Sequence, residues 1–199
     1  MSGVTLKPLE AEYLAALKRT RFKDLAPLRD AGVGGPGLAI GPAWAAIQLH
    51  GDRFEFDPFS DAYAFVIPVR CDDPNTPEVV VPQRIIREAA IVDLVAFSAN
   101  SGGWARRFGN ATWLGAVEPQ YLTPIPTPVW RNPLNWLRAE CTGLCLLTRD
   151  SRERYRILSL LDAVLAEDER HAQELRELLA RPWLAPPVLV RGREVRNAA

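Results

Sequence analysis

Histidine occurs only twice in the 199 residues, cysteine three times and methionine once. With only His50 and His171 to draw on, a Ser-His-Asp triad or an imidazole-based metal centre has little material. No G-x-S-x-G elbow is present, and "FSANSGG" is only a distant echo of one. Cys71, Cys141 and Cys145 are an odd number in a chain long enough to fold without staples, so no disulfide framework is expected. They form neither a C-x-x-C pair nor paired zinc knuckles and read as small buried hydrophobes. Long apolar runs are missing too. Nothing approaches the roughly 20 residues that span a bilayer, and "MSGVTLKPLEAEY" has no secretory core, so a cytoplasmic protein without membrane contact is expected. An excess of either charge is also absent, because 24 Lys and Arg oppose 24 Asp and Glu. Binding to an anionic partner must therefore come from a local patch.

The chain does have a globular share of apolar residues, 48%, together with 17 prolines and six tryptophans. Its length favours one domain. The reading is α+β: a mostly antiparallel central sheet of about five strands, flanked by helices and closed by a long C-terminal helix. Residues 1–50 read as helical, 51–100 as sheet, 101–132 as a Trp/Pro-rich connection, 133–181 as helix, strand and helix, and 182–199 as a tail. Leu9, Tyr13, Leu14 and Leu17 set a helical stripe, and "RFKDLAPLRDAG" predicts a second helix stopped at Gly32. "PAWAAIQLHG" reads as a third. "DRFEFD", "AYAFVIPVR", "EVVVP" and "AAIVDLVAFS" read as strands, with "LCLLT" as one more. Asn132 before Pro133 is a helix start, with Gly143 as its stop, and Asp150 opens a helix reaching Pro182 with His171 on its solvated face. Val188–Val190 reads as an edge strand.

Three patterns invite a chemical reading. Gly32, Gly34 and Gly37 stand in the spacing G-x-G-x-x-G, but helix rather than strand precedes them and Pro36 removes an N–H donor. A phosphate cradle is therefore not expected there. Asp93 interrupts the apolar run "IVDLVAF", sharing a strand face with Ile91, Val95 and Phe97. A buried carboxylate must find partners or change its ionisation. With Glu55, Asp57 or Asp61 it would make a metal-dependent phosphodiester site, with Asp93 and Asp57 as the catalytic candidates; the alternative is a structural acceptor of backbone or Arg hydrogen bonds. The third pattern is the segment from Ser101 to Arg138, where four arginines oppose the single acid Glu118 among several tryptophans. Aromatic faces stack bases and guanidinium groups pair phosphates, so Trp104, Arg106, Arg107, Trp113, Arg131 and Arg138 are the candidates for binding nucleic acid or a partner. Packing of these tryptophans against the sheet is the competing reading.

The blocks "VDLVAFSANSGGWARRFGNATWLGAVEPQYL" and "VWRNPLNWLRAECTGLCLL" resemble a group of uncharacterised proteins of alphaproteobacteria and their prophages. Asp93, Trp104, Arg107, Gly109, Trp113, Leu114 and Gly115 carry the first block. Trp130, Pro133, Leu134, Trp136, Leu137, Arg138 and Gly143 carry the second. The resemblance spans 90–150 and implies a setting, mobile-element genes near replication functions, without a catalytic residue or cofactor. The expectation is a non-enzymatic accessory protein acting on nucleic acid or a replication protein, with no cofactor and no metal. A metal-dependent enzyme and a phage structural or assembly component are the alternatives.

Overall fold

The computed structural model describes residues 8–72, 79–81, 84–86, 89–115 and 126–180. The chain begins with α1 (Pro8–Arg19), whose Leu9, Tyr13 and Ala16 recur at helical spacing and are buried. A 3-10 turn at Phe22–Leu25 leads into α2 (Ala26–Asp30), which stops at Gly32 with φ +86°. The glycine-rich stretch then forms its own short helix, α3 (Gly35–Ala39). Gly37 is needed there for closeness: a Cβ at this position would meet the Leu137 carbonyl oxygen at 2.6 Å.

Five strands close into a barrel. They are β1 (Ala43–His50), β2 (Arg53–Phe56), β3 (Tyr63–Asp72), β6 (Ala89–Phe97) and β7 (Trp104–Arg106), in the order β1-β2-β7-β6-β3 and back to β1. Four junctions are antiparallel, and β2 meets β7 in parallel through Arg53 and Arg106. Between β3 and β6 in sequence, β4 (Val79–Val81) and β5 (Arg84–Ile86) pair as a separate two-stranded sheet, so Val79–Val81 of "EVVVP" form a strand outside the barrel. One buried cluster draws on all five barrel strands, including Ala45, Phe54, Val66, Leu94 and Ala105, and this is the lumen. Leu9, Tyr13 and Ala16 of α1 belong to the same cluster and plug it.

The expected helix at "PAWAAIQLHG" is instead β1. Its burial alternates: Ala43, Ala45 and Ile47 face the lumen, while Trp44 and Ala46 are only partly covered. Alanine's helix preference yields here to the lumen's need for small side chains. Strands β3 and β6 are buried on both faces. Phe65, Ile67, Val95 and Phe97 point away from the lumen into a second cluster with Leu28, Val33 and Leu137. This double burial explains their near-continuous apolar runs. Ile91 does not share the face of Asp93 as its spacing implied. A bulge skips Val92, pairing Val69 with Asp93 and Arg70 with Ile91, and so turns Ile91 into the lumen cluster.

The remaining elements build a smaller mixed sheet and its cover. They are β8 (Trp113–Leu114), β9 (Thr127–Trp130), α4 (Pro133–Arg138), β10 (Leu144–Leu146), α5 (Ser151–Leu158), β11 (Val164–Leu165) and α6 (Glu169–Ala180). The sheet order is β11-β9-β10-β8, with β9 parallel to both neighbours, so the antiparallel expectation holds for most of the barrel and not here. The expected single C-terminal helix is two. The chain leaves α5 to pair Val164 with Thr127, and Asp168 starts α6 by accepting the His171 N–H at 2.7 Å. His171 is buried at 2% exposure rather than solvated. The expected edge strand at Val188–Val190 lies outside the described residues.

Helix α4 starts as its sequence implies, with the Asn132 side chain accepting the Asn135 N–H at 2.9 Å. It stops at Glu140 and not at Gly143. The Glu140 and Cys141 N–H groups donate back to the Leu137 and Trp136 carbonyls, and Glu140 sits at φ +56°, where glycine is preferred. Glu140→Gly is therefore expected to stabilise the protein by about 1 kcal/mol, read from the urea midpoint. An unchanged or lower midpoint would contradict this account of the cap.

Candidate functional site

Asp93 is fully buried, and every described acceptor contact it makes is with backbone. Oδ1 takes the N–H groups of Leu94 and Phe108, both at 2.9 Å, and Oδ2 takes the Ala111 N–H at 3.1 Å. Arg106 binds the same loop from the other side, its Nη1 donating to the Ala111 carbonyl at 2.9 Å while its own N–H donates to the Asp52 carbonyl at 3.0 Å. Together they pin the loop after β7 to the seam where β2 and β7 close the barrel. Glu55, Asp57 and Asp61 do not join Asp93. Glu55 pairs with Arg107 at 3.6 Å, Asp57 accepts the Phe59 N–H, and Asp61 is exposed. Among the described residues no group of three or more His, Cys, Asp or Glu is placed to hold a metal ion.

The arginines expected to share one basic face are dispersed and mostly paired. Arg106 is 8% exposed. Arg107 bridges to Glu12 of α1 at 3.1 Å, tying the plug to the barrel. Arg131 sits among Glu167, Asp168 and Glu174 at 2.5–3.5 Å on the other sheet. Arg138 is exposed but lies beside Gly32, away from these. Trp104 is half-buried with Arg149 over its ring at 5.7 Å, Trp113 packs on the C-terminal cluster, and Trp136 is core. Trp130 donates its Nε1–H to the Thr142 carbonyl at 2.7 Å. These residues do not share one exposed face: Arg106, Arg107 and Arg131 tie parts of the fold together, and Arg138 stands exposed apart from them.

The thiols follow their burial. Desolvation raises that of Cys141 to about 11 and pushes that of Cys145 up as well. The Arg131 guanidinium hydrogen-bonded to Asp168 holds that carboxyl down at about 2. Burial, reinforced by Arg131, lowers the pKa of His171, whose Nδ1 accepts the Glu167 N–H at 3.2 Å. The unfolded imidazole takes its proton near the ordinary value of 6.5, and the folded one only at lower pH. This contribution to stability is present above about pH 6.5 and is lost as the pH falls below it. The denaturation midpoint is expected to drop between pH 7 and pH 5. His171→Asn, whose Oδ1 can take the same N–H, is expected to flatten that drop, and an equally steep drop in the variant would contradict the assignment.

The residues that converge on open space lie elsewhere. A groove of about 510 Å³ runs between the end of α1 and strands β1 and β3. On one side are Arg19, Arg21 and Lys23, all exposed and, among the described residues, without a carboxylate in ion-pair range. On the other are Trp44, Phe56 and Tyr63. The Trp44 and Tyr63 rings stack at 5.5 Å between centroids with planes 19° apart, and Tyr63 remains 54% exposed. Local bonds fix the two sides against each other. Thr20 Oγ1 accepts the Trp44 N–H at 2.8 Å and donates to the Ala16 carbonyl at 3.1 Å, tying the basic turn to the strand. Asp24, the one carboxylate among the described residues that line the groove, accepts the Arg21 N–H at 2.8 Å. The sequence signal for this site is the run "KRTRFK", Lys18 to Lys23, four cations in six residues with no acid. It lies outside the Trp/Arg-rich segment from Ser101 to Arg138, where arginine and tryptophan are adjacent in sequence.

The chain matches no protein-family model, no curated protein and no solved structure. Among the described residues no helix is long and apolar enough to cross a membrane.

Proposed function

We propose that the protein is a non-enzymatic binding protein for single-stranded nucleic acid, and that the groove between α1 and the barrel is where the strand lies. The observation that carries this reading is the convergence of three exposed cations on a stacked aromatic pair in one groove. Cations that follow the phosphates and rings that stack bases are the two ingredients of sequence-tolerant single-strand binding. The resemblance to mobile-element proteins adds a setting in which single strands arise. Asp93, whose contacts are backbone N–H groups within the fold, offers no support for metal-dependent phosphodiester chemistry.

The test is fluorescence anisotropy of labelled single-stranded DNA, single-stranded RNA and duplex DNA, titrated at 50 and 200 mM salt. Single strands are expected to bind more tightly than duplex and to weaken steeply with salt. No binding at 50 mM salt, or a preference for duplex, would refute the reading.

A further inference from the structure

A second cavity, of about 240 Å³, opens at a mouth of the barrel, and Tyr63 lines both it and the cationic groove. The lumen near this mouth is lined by Ala64, Ala96 and Ala105, three small side chains where larger ones would fill the space. Barrel mouths are recurrent ligand sites, and this volume lies below the roughly 300–1,000 Å³ that takes a drug-sized molecule. It suits one small ring.

Its rim supplies hydrogen-bond donors. Ser98 Oγ accepts the N–H groups of Asn100 and Ser101 at 3.2 and 3.3 Å, and Ser101 Oγ accepts the Gly103 N–H at 3.3 Å. Among the described residues neither hydroxyl hydrogen is given to an acceptor, so both are available to a ligand that offers carbonyl oxygens. Thymine and uracil present two carbonyl acceptors, O2 and O4, whereas cytosine has only O2 and an amino donor at N4, and adenine has no carbonyl and an amino donor at N6.

Resting on the single-strand reading above, we infer that the barrel mouth is a base-selective subsite of the same groove. A strand held by Arg19, Arg21 and Lys23 passes Tyr63 and places one thymine or uracil over the alanine-lined opening, where Ser98 and Ser101 donate to its carbonyls.

The experiment measures affinities of ten-nucleotide dT, dC and dA strands for the wild type and for Ala62→Trp and Ser101→Ala. Both substitutions fall on exposed rim positions rather than in the packed lumen. The wild type is expected to favour dT over dC and dA by about tenfold, the discrimination of a pair of base-edge hydrogen bonds. Ala62→Trp, which blocks the mouth, is expected to bring the three strands within about twofold while leaving the salt dependence unchanged. Ser101→Ala is expected to lower the preference by about half on a logarithmic scale, having lost one of two donors. Equal wild-type affinities, or a dT preference that survives Ala62→Trp, would overturn the subsite and leave the cationic groove standing. Absence of binding to any strand would overturn both.

Discussion

Asp93→Ala is expected to cost on the order of 3–5 kcal/mol of unfolding free energy, the range for removing a buried, multiply bonded acceptor. The substitution strands the Ala111 N–H inside the protein, takes the acceptor from the Phe108 N–H and releases the loop that Arg106 holds from the other side. That loop is part of the seam at which β7 meets β2, so the closure of the barrel is weakened along with it. Asp93→Asn keeps one carbonyl acceptor and is expected to lose about half as much. If the seam rather than a reaction is the reason for Asp93, the loss appears in chemical denaturation and is the same with and without divalent metal. Full stability of Asp93→Ala, or a metal-dependent stability of the wild type that the variant lacks, would return Asp93 to the catalytic candidates.

Reversing charge at Arg21 and Lys23 is expected to have the largest effect on binding and very little on folding. Both side chains are exposed. The double variant Arg21→Glu, Lys23→Glu is expected to bind single strands about 100-fold more weakly at 50 mM salt, and its log K against log salt is expected to be shallower by about 1.4, since each phosphate contact on a single strand contributes roughly 0.7. Tyr63→Ala separates the second ingredient. Losing a stacking platform weakens binding by about 1–3 kcal/mol and leaves the salt slope as it was. A double variant with wild-type affinity would place the strand elsewhere on the protein.

The sequence was legible wherever local chemistry decides the outcome. Asn132 and Asp150 cap their helices, accepting N–H groups at 2.9 and 2.8 Å, and Gly32 ends α2 in a left-handed turn. The runs "AYAFVIPVR" and "AAIVDLVAFS" pair with each other as strands. The alternation of helices and strands also identified the mixed α+β character. What the sequence concealed depends on distant partners. Ala43 and Ala45 read as helix formers because nothing local reveals the narrow lumen they line. The long periodic segment after Asp150 concealed a break, because β11 exists only by pairing with β9, 37 residues earlier at Val164 and Thr127. Glycine roles were equally non-local. Gly109 leaves room for the Arg53 guanidinium and Gly143 for the Pro128 carbonyl, contacts that a Cβ would obstruct.

The Trp/Arg segment and the groove differ in a way that local sequence does not reveal. Arginine beside tryptophan describes a nucleic-acid surface and an internal tie equally well, and only the carboxylates facing Arg107 and Arg131 distinguish them. Those carboxylates, Glu12, Asp168 and Glu174, are remote in sequence. The cations of "KRTRFK" have no carboxylate in ion-pair range among the described residues, and the stacked Trp44 and Tyr63 opposite them come from two strands that pair at Ala46 and Tyr63.

The most direct test of the groove is photocrosslinking of the wild-type protein to a single-stranded oligonucleotide carrying a photoreactive pyrimidine, followed by peptide mapping of the adducts. Adducts at Arg19–Lys23, Trp44 or Tyr63 are predicted. Adducts confined to Trp130–Arg138, or none on the protein at all, would contradict the assignment of the groove.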